Sequence, residues 1–375
     1  QGLGAAMVSA TGLSILATAF PEGKARNRAL SVFAAATGSG FAAGMILGGV
    51  ITATLGWRWV FDINVPIGLI VSLLSIKYIS STTRRTYEHR HLDIFGAASV
   101  TAGLMLLVYS LSSAQNIGIG SLQTLELLLL SVIVLAAFLL IEYRSKAPLM
   151  PLRFLRRSSI FGANAVGLLQ VGAFVGMVFI LTIYLQQVRG YSALSAGLAF
   201  APMGVVFLVV SGFLSARLVN RFGIKPILIS GMTLQTIGYL LLSGISLTES
   251  YFGLLVPMLA IAFGTGLGFT AYNIAALAGT RRGEEGLASG LINTSRQIGG
   301  PIGLAVLLTV ANFETSVGTS RLAVHSASAM VLGFGYSLLA AALLTGIGII
   351  FAALLKQERH SQAGVVGTAV TVHQS

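Results

Sequence analysis

Long apolar runs with almost no charge dominate this chain of 375 residues and limit the folds that it can adopt. Only 9% of its residues are charged, whereas a soluble globular domain carries about 25%. Runs of about 20 apolar residues are long enough to cross a bilayer as α-helices. The alternating strands of about ten residues that build a membrane barrel do not occur in the sequence. The sequence therefore predicts an all-α polytopic membrane protein.

Eleven apolar segments can be marked, with boundaries good to a few residues. They cover about residues 1–19, 30–55, 63–80, 93–112, 122–142, 159–187, 195–216, 226–246, 252–279, 288–311 and 328–355. The chain begins at Gln1 inside the first apolar run, without an initiator methionine or a charged leader. This start predicts a truncated chain whose first segment is incomplete, and no signal peptide can be read from it.

The basic residues alternate between the loops. Of the 23 Lys and Arg residues, 19 fall in one set of alternate loops, three in the other set, and one, Arg296, within a segment. Since the loops facing the cytoplasm carry the excess of basic residues, loop 20–29 and the C-terminus are expected to be cytoplasmic. The protein is then a multi-pass protein of the inner or plasma membrane.

Composition and motif content exclude several classes of function. The net charge of +12 suggests nucleic-acid binding, but the basic residues are spread along one membrane face, so topology explains them and no nucleic-acid partner is expected. The five histidines lie outside the segments, no buried Ser/His/Asp grouping is visible, and no phosphate-binding loop occurs. The chain has no cysteine, so a thiolate metal site is excluded. We therefore expect neither an enzyme nor an ATP-driven pump, with no catalytic residue and no metal site.

The second segment carries glycines at helical spacing. Gly40, Gly44 and Gly48 fall on one helix face, where the backbone of another helix can approach closely, and Gly49 follows them. Spacing alone favours ordinary tight packing over a special role. Directly after them, residues 56–68 read Gly-Trp-Arg-Trp-Val-Phe-Asp-Ile-Asn-Val-Pro-Ile-Gly.

These two elements together resemble the major facilitator superfamily, in particular its fourteen-helix drug:proton antiporter branch (EmrB/QacA-like). The fifth-helix antiporter signature of that branch is Gly-x-x-x-Gly-Pro-x-x-Gly-Gly, and here Met45 takes the place of the proline. This departure predicts a weaker kink in the helix and leaves the direction of transport open.

Four further places support the resemblance. They are the end of a fourth-helix motif at Gln1, Gly2 and Gly4, a loop preceding the ninth helix at 147–153, a cytoplasmic gating loop at Asn220, Arg221, Gly223 and Lys225, and a thirteenth-helix pattern at 289–300. In the gating loop, Asn220 replaces the aspartate of the family and Ala216 replaces its leading glycine.

The resemblance implies the MFS fold, with eleven of about fourteen transmembrane helices present in this chain. It divides the chain into a remnant of the N-terminal bundle (1–80, helices four to six), a cytoplasmic loop with an extra linking helix pair (81–142), a cytoplasmic loop (143–158), a six-helix C-terminal bundle (159–355) and a disordered cytoplasmic tail (356–375). The coupling residues that it implies are an aspartate on the first helix and an arginine two positions before Gln1.

Polar residues inside the segments are the candidates for a midplane cavity, where such transporters bind substrate. Arg296 is expected roughly 7–8 Å to the cytoplasmic side of the midplane. It either holds an anionic group or influences a nearby coupling carboxylate at the site, or it extends to the cytoplasmic interface or makes a structural pair in the C-terminal bundle. The uncharged candidates are Asn164, Gln170, Gln235, Tyr239, Tyr272, Asn273, Asn293 and Gln297. For any one of them, a hydrogen bond between helices competes with contact to substrate.

No acidic residue is expected deep in a segment, and Asp93 is predicted to cap its helix. The favoured function is proton-coupled efflux of drugs or other small amphiphilic molecules by alternating access. The alternative is a permease of the same superfamily for one metabolite or nutrient. The expected partners are a small-molecule substrate, protons, the lipid bilayer and accessory efflux proteins. No cofactor is expected, because the proton gradient supplies the energy.

Overall fold

The computed structural model shows that the apolar runs form long helices. It describes residues 2–20, 23–78, 93–118, 120–145, 148–150, 152–155, 157–278, 280, 284–321 and 326–355. Gln1 of the fourth-helix motif, most of the loop after residue 78 and the tail from residue 356 lie outside the described residues.

Fourteen α-helices occur in the described ranges. They are α1 (Gly2–Ala19), α2 (Lys24–Thr54), α3 (Trp59–Asp62), α4 (Asn64–Tyr78), α5 (Ile94–Ile117), α6 (Leu122–Arg144), α7 (Leu152–Leu155), α8 (Ser158–Ile183), α9 (Ala193–Val209), α10 (Ser215–Phe222), α11 (Ile224–Leu242), α12 (Tyr251–Leu277), α13 (Glu285–Arg321) and α14 (Ser326–Leu354). One π-helical turn, Tyr184–Val188, extends α8, and a second, Val210–Leu214, joins α9 to α10.

The predicted all-α polytopic membrane fold is confirmed. Ten helices in the described part of the chain are long and apolar enough to cross a membrane, and they coincide with the second to eleventh predicted segments. The first predicted segment is α1, whose apolar part, Met7–Ala19, is shorter than a full span. Helices α2 and α13 extend beyond the predicted segments, and a further difference is at residue 216, where the sequence predicted an end but the helix continues through α10 to Phe222. Gly223, with φ +90°, then ends it.

Loops that the charge count assigned to one membrane face meet at one end of the protein. Asn27 Nδ2 donates to Asn220 Oδ1 at 2.6 Å. Arg157 donates two hydrogen bonds to the Glu284 carboxylate, at 2.7 and 3.1 Å. At the other end, the Tyr184 hydroxyl donates to the carbonyl of residue 246 at 2.7 Å. Each of these contacts joins loops or adjoining helix ends that the alternation of charge places in the same set.

Helices α8 and α13 cross at glycines. A Cβ atom at Gly303 would overlap the backbone of Gly172, and one at Gly172 would lie 2.8 Å from the carbonyl oxygen of Gly299. Nearer the Arg157–Glu284 end, Ser295 Oγ donates to Asn164 Oδ1 at 2.8 Å. Because lipid offers no hydrophobic drive for two helices to associate, such close backbone contact and interhelical hydrogen bonds hold the pair together.

Helix α2 packs antiparallel along α9 and the π turn that follows it. A Cβ atom at Gly197 would lie 2.6 Å from the carbonyl oxygen of Met45, and one at Gly204 would overlap Ala42. The α2 residues of this contact, called the α2 seam below, are Ala35, Gly38, Ala42, Met45 and Gly49. The spacing of three and four residues keeps them on one helix face.

The predicted close packing at Gly40, Gly44 and Gly48 is wrong for the part of the chain that the structure describes. No described atom lies within 4 Å of a Cβ placed at any of these three glycines, whereas Gly49 does approach α9, with Ala193 O at 3.2 Å. The reason is that small residues surround α2 on several faces, so the glycine spacing does not identify the face that makes the contact.

Helices α5 and α6 form an antiparallel pair. Ser131 Oγ donates to the carbonyl of Gly103 at 2.9 Å in the buried contact between them. Asp93 Oδ1 accepts from the backbone N–H of Gly96 at 2.7 Å, which confirms the predicted helix cap. At the end of α6, the Glu142 carboxylate accepts from the backbone N–H of Leu149 and fixes the chain that leads towards α8.

Candidate functional site: a midplane cavity bordered by an arginine

A cavity of about 160 Å³ lies where α2 meets α8, α9, α12 and α13. Its walls are Thr37 and Phe41 of α2, Gln170, Val171 and Phe174 of α8, Phe207 of α9, Thr265, Phe269 and Tyr272 of α12, and Arg296 of α13. Three of these, Gln170, Tyr272 and Arg296, belong to the predicted set of polar cavity residues.

The cavity lies near the middle of the spans that enclose it. Gln170 lies close to the midpoint of Ser158–Val188, and Phe207 lies at that of Ala193–Phe222. Arg296 is about four residues, or about 6 Å, from the midpoint of Glu285–Thr315. This is the depth at which secondary transporters bind substrate.

Aromatic rings form two of the cavity walls. Phe41 and Phe174 face each other across α2 and α8 with ring centroids 5.4 Å apart. Phe269 packs at 5.5 Å against both Phe207 and Tyr272. Tilted and edge-on pairs of this kind contribute roughly 0.5–1.5 kcal/mol beyond their buried area. The walls are therefore apolar and well supported by neighbouring rings.

Arg296 lies over one of these rings. Its Cζ atom is 4.4 Å from the centroid of Phe269, a cation–π contact. Its Nε atom is buried and has no hydrogen-bond partner among the described residues, and the guanidinium makes no ion pair with any of them. The side chain borders the cavity, so the structure does not show it extended to the membrane interface.

Two uncharged side chains bring further unpartnered polar atoms to the cavity. Gln170 is 1% exposed, and neither its Oε1 nor its Nε2 atom has a hydrogen-bond partner among the described residues. The buried hydroxyl of Tyr272 is also unpartnered there. Buried polar atoms are normally hydrogen-bonded, so a concentration of exceptions around one cavity indicates a place where a ligand supplies the missing partners.

The other predicted cavity residues lie elsewhere. Asn164 and Asn293 link helices, since Asn164 accepts from Ser295 and Asn293 Nδ2 donates to Ser9 Oγ at 2.8 Å. Asn273 Nδ2 donates within its own helix to Phe269 O at 2.7 Å. The remaining three are Gln235 and Tyr239, which are buried in the packing of α11, and Gln297, which is exposed.

Sequence reasoning missed the aromatic walls and both threonines. A signal for them exists, because on three helices a polar residue precedes a phenylalanine by four positions. These pairs are Thr37 with Phe41, Gln170 with Phe174, and Thr265 with Phe269. Residues four apart share a helix face, so each pair turns one polar and one aromatic side chain to the cavity.

The motif residues outside the cavity occupy the ends of helices. Asn220 accepts the hydrogen bond from Asn27, and the Arg221 guanidinium lies over the ring of Phe222, with its Cζ 5.2 Å from the centroid. Lys225 lies in the first turn of α11, after the turn at Gly223. Gly2 and Gly4 lie in α1, and no described atom is within 4 Å of a Cβ placed at either one.

Known proteins match the chain over most of its length. The cephamycin export protein CmcT of Amycolatopsis lactamdurans is 36% identical over 349 residues, which cover 92% of this chain and 72% of that protein. The puromycin resistance protein pur8 of Streptomyces alboniger is 32% identical over 84% of this chain and 63% of its own length. The multidrug resistance protein Stp of Mycobacterium tuberculosis is 33% identical over 83% of this chain and 57% of its own length.

The chain thus spans less than two thirds of pur8 and of Stp, and somewhat more of CmcT. The family model described as Major Facilitator Superfamily matches residues 1–304, which include the cavity and the α2 seam. The all-helical fold, the matched residues and the similarity to CmcT agree, and the chain belongs to the Major Facilitator Superfamily.

Proposed function

We propose that this protein exports drugs or other small amphiphilic molecules across the cell membrane by alternating access, driven by the proton gradient. The observation that carries the proposal is the aromatic cavity at mid-membrane depth, which contains a guanidinium and several unpartnered polar atoms. CmcT, pur8 and Stp, which are named for export or resistance, support the same function.

The cavity suits part of an amphiphilic molecule. Its volume of about 160 Å³ is close to that of an engineered cavity of about 150 Å³ that holds benzene, and it is below the range of about 300–1,000 Å³ for sites that take drug-sized ligands. This conformation therefore accommodates one ring and its polar substituent. Movement of α2 along its small-residue seam would open the space that the rest of a substrate needs.

The broader organisation follows from the resemblance to the drug:proton antiporters. We propose the division into an N-terminal remnant (1–80), linking pair (81–142), loop (143–158), C-terminal bundle (159–355) and tail (356–375), with the C-terminus in the cytoplasm. Proton coupling rests on the same resemblance, and accessory efflux proteins are its further candidate partners.

Export by the full-length protein should depend on a pH gradient. Purified protein in liposomes loaded with a lipophilic dye should release the dye faster when a proton gradient is imposed, because proton flow drives the return of the transporter. Fluorescence would follow the release, with protein-free liposomes as the control. Dye release that continues unchanged after an ionophore collapses the gradient would contradict proton antiport. Transport of one metabolite without any dye release would favour the permease.

Removal of the hydrogen bond between Asn27 and Asn220 should open the cavity more often to reagents that enter from the end of the protein where these two residues lie. The bond is 2.6 Å long and joins α2 to α10, so it favours the arrangement in which these ends are closed. Its loss costs about 0.5–1.5 kcal/mol, which corresponds to about a 2–10-fold change in an equilibrium. Since the chain has no cysteine, one reporter introduced as Thr265→Cys, at a cavity residue that is only 6% exposed, allows a clean measurement of maleimide labelling.

Asn220→Ala should raise the labelling rate of that reporter about 2–10-fold. Asn220→Asp is the matched control, because a carboxylate keeps the oxygen that accepts from Asn27, and labelling should stay at the wild-type rate. An equal increase in both variants would show that the hydrogen bond does not close this end.

A further inference from the structure

The charge of Arg296 has no counter-charge in the cavity. All eight acidic residues in the described part of the chain lie away from its walls: Asp62, Asp93, Glu126, Glu142, Glu249, Glu284, Glu285 and Glu314. An ionisable side chain within a membrane span is costly and usually serves a ligand or ion pathway. Among the described residues, the charge at the cavity is therefore positive, and it favours an anion over a cation.

The guanidinium keeps its hydrogen-bonding capacity for an anion. Its Cζ atom lies 4.4 Å from the centroid of the Phe269 ring, and the guanidinium makes no hydrogen bond to a described residue. The five N–H donors of a guanidinium lie in its plane and point outward from its edges. Two parallel N–H groups match the two oxygens of a carboxylate. The contact with Phe269 thus leaves the side chain with donors that an anion can use.

Two more donors lie on adjoining walls. Arg296 Cγ and Tyr272 Cε2 lie 3.5 and 3.6 Å from the same point, a Cβ position built on Gly167, so these side chains are neighbours. The Tyr272 hydroxyl and Gln170 Nε2 have no partner among the described residues. Donors from three helices therefore surround a space with aromatic walls.

We infer that the cavity selects amphiphilic carboxylates, molecules with an aromatic or apolar body and one anionic carboxylate. Arg296 binds the carboxylate, Gln170 and Tyr272 donate to it, and the phenylalanine walls hold the ring. The inference names the substrate class of the proposed exporter and therefore rests on the proposed function. The preference for a charge, however, can be measured by binding alone, without transport.

Three probes with the same single ring and different charge test this selectivity: benzoate, benzamide and benzylammonium. Equilibrium binding of each radiolabelled probe to the purified full-length protein in detergent gives three dissociation constants. Benzoate should bind about tenfold more tightly than benzamide, because a hydrogen bond to a charged group is worth more than a neutral one. The cation should bind most weakly.

Variants then assign the selectivity to residues. Arg296→Gln should abolish the preference for benzoate over benzamide, Arg296→Lys should keep part of it, and Tyr272→Phe should weaken benzoate binding a few-fold. Arg144→Gln, the same change at an exposed residue at the end of α6, should leave all three constants unaltered. Tyr272→Phe removes one hydroxyl only and keeps the test informative if Arg296→Gln does not fold.

Several outcomes would overturn the inference. They are equal binding of the three probes, tighter binding of the cation, no binding of benzoate up to its solubility limit, or a benzoate preference that survives Arg296→Gln. Failure of the proposed function would give a different result from any of these outcomes. If the charge preference is found but liposomes containing the protein transport none of the probes, the assignment as an exporter is wrong and the anion site stands.

Discussion

Replacement of Arg296 by glutamine should abolish export of anionic amphiphiles by the full-length protein without lowering its abundance in the membrane. The substitution removes the one guanidinium described at the cavity and preserves most of the side-chain length. The side chain makes no ion pair with a described residue, so its removal does not strand a described carboxylate without its partner. The fold should therefore tolerate the change. Initial transport rates in liposomes and membrane abundance measured by immunoblot would check both parts.

The matched control is Arg144→Gln, which removes an exposed positive charge outside the cavity and should leave the transport rate intact. Arg296→Lys is the second variant. It keeps the charge but loses the paired donors, so it should raise KM more than it lowers kcat. A normal transport rate in Arg296→Gln would show that the arginine has a structural role or reaches the membrane interface when the protein moves.

Replacement of Gly303 by alanine should destabilise the protein strongly, although it adds only one methyl group. The new Cβ atom would overlap the backbone of Gly172, and backbone cannot move aside as a flexible side chain can. Overpacking of this kind costs roughly 1–3 kcal/mol. The midpoint of thermal unfolding in detergent, followed by the loss of monodisperse protein, should fall by several degrees.

Gly290→Ala on the same helix provides the control. No described atom lies within 4 Å of a Cβ placed at Gly290, so the methyl group meets open space there. Alanine is also the better helix former, by roughly 0.5–1 kcal/mol. This variant should therefore be as stable as the wild type or slightly more so. If the two alanine variants unfold at the same temperature, α8 and α13 do not depend on the close crossing.

The helical architecture could be predicted because hydrophobicity and length alone determine which segments can cross a membrane. The boundary after α9 could not be placed in the same way. Arg217, Asn220 and Arg221 end the apolar run, but the helix continues past them, because a polar helix at the membrane edge meets water and loses nothing by staying helical. Hydropathy therefore marks where the apolar part ends, and Gly223 marks where the helix ends.

The cavity was predictable only in part. Arg296 and Gln170 stand out because polar side chains are rare in apolar helices, and their rarity is the signal. The phenylalanines carry no such signal, since a helix that is apolar on all sides does not reveal which face meets lipid and which meets a cavity. For the same reason, Gln235 and Asn164 were candidates although they lie in helix contacts.

The misplaced packing face of α2 has a related cause. Small residues occur on several sides of this helix, and Gly40 and Gly44 are spaced as regularly as the true contact residues Gly38 and Ala42. The α2 seam depends on matching small residues on α9, such as Gly197 and Gly204. A single helix cannot show this complementarity, because it belongs to the pair.

The π-helical turn at Val210–Leu214 has a consequence for comparing this chain with its relatives. A π turn accommodates one more residue than an α turn, and each residue in an α-helix rotates the following side chains by about 100°. The cavity residue Phe207 precedes the turn, whereas the helix-end residue Asn220 follows it. An alignment to a relative without the extra residue can therefore match the cavity or the helix end, but it needs a one-residue gap at Val210–Leu214 to match both.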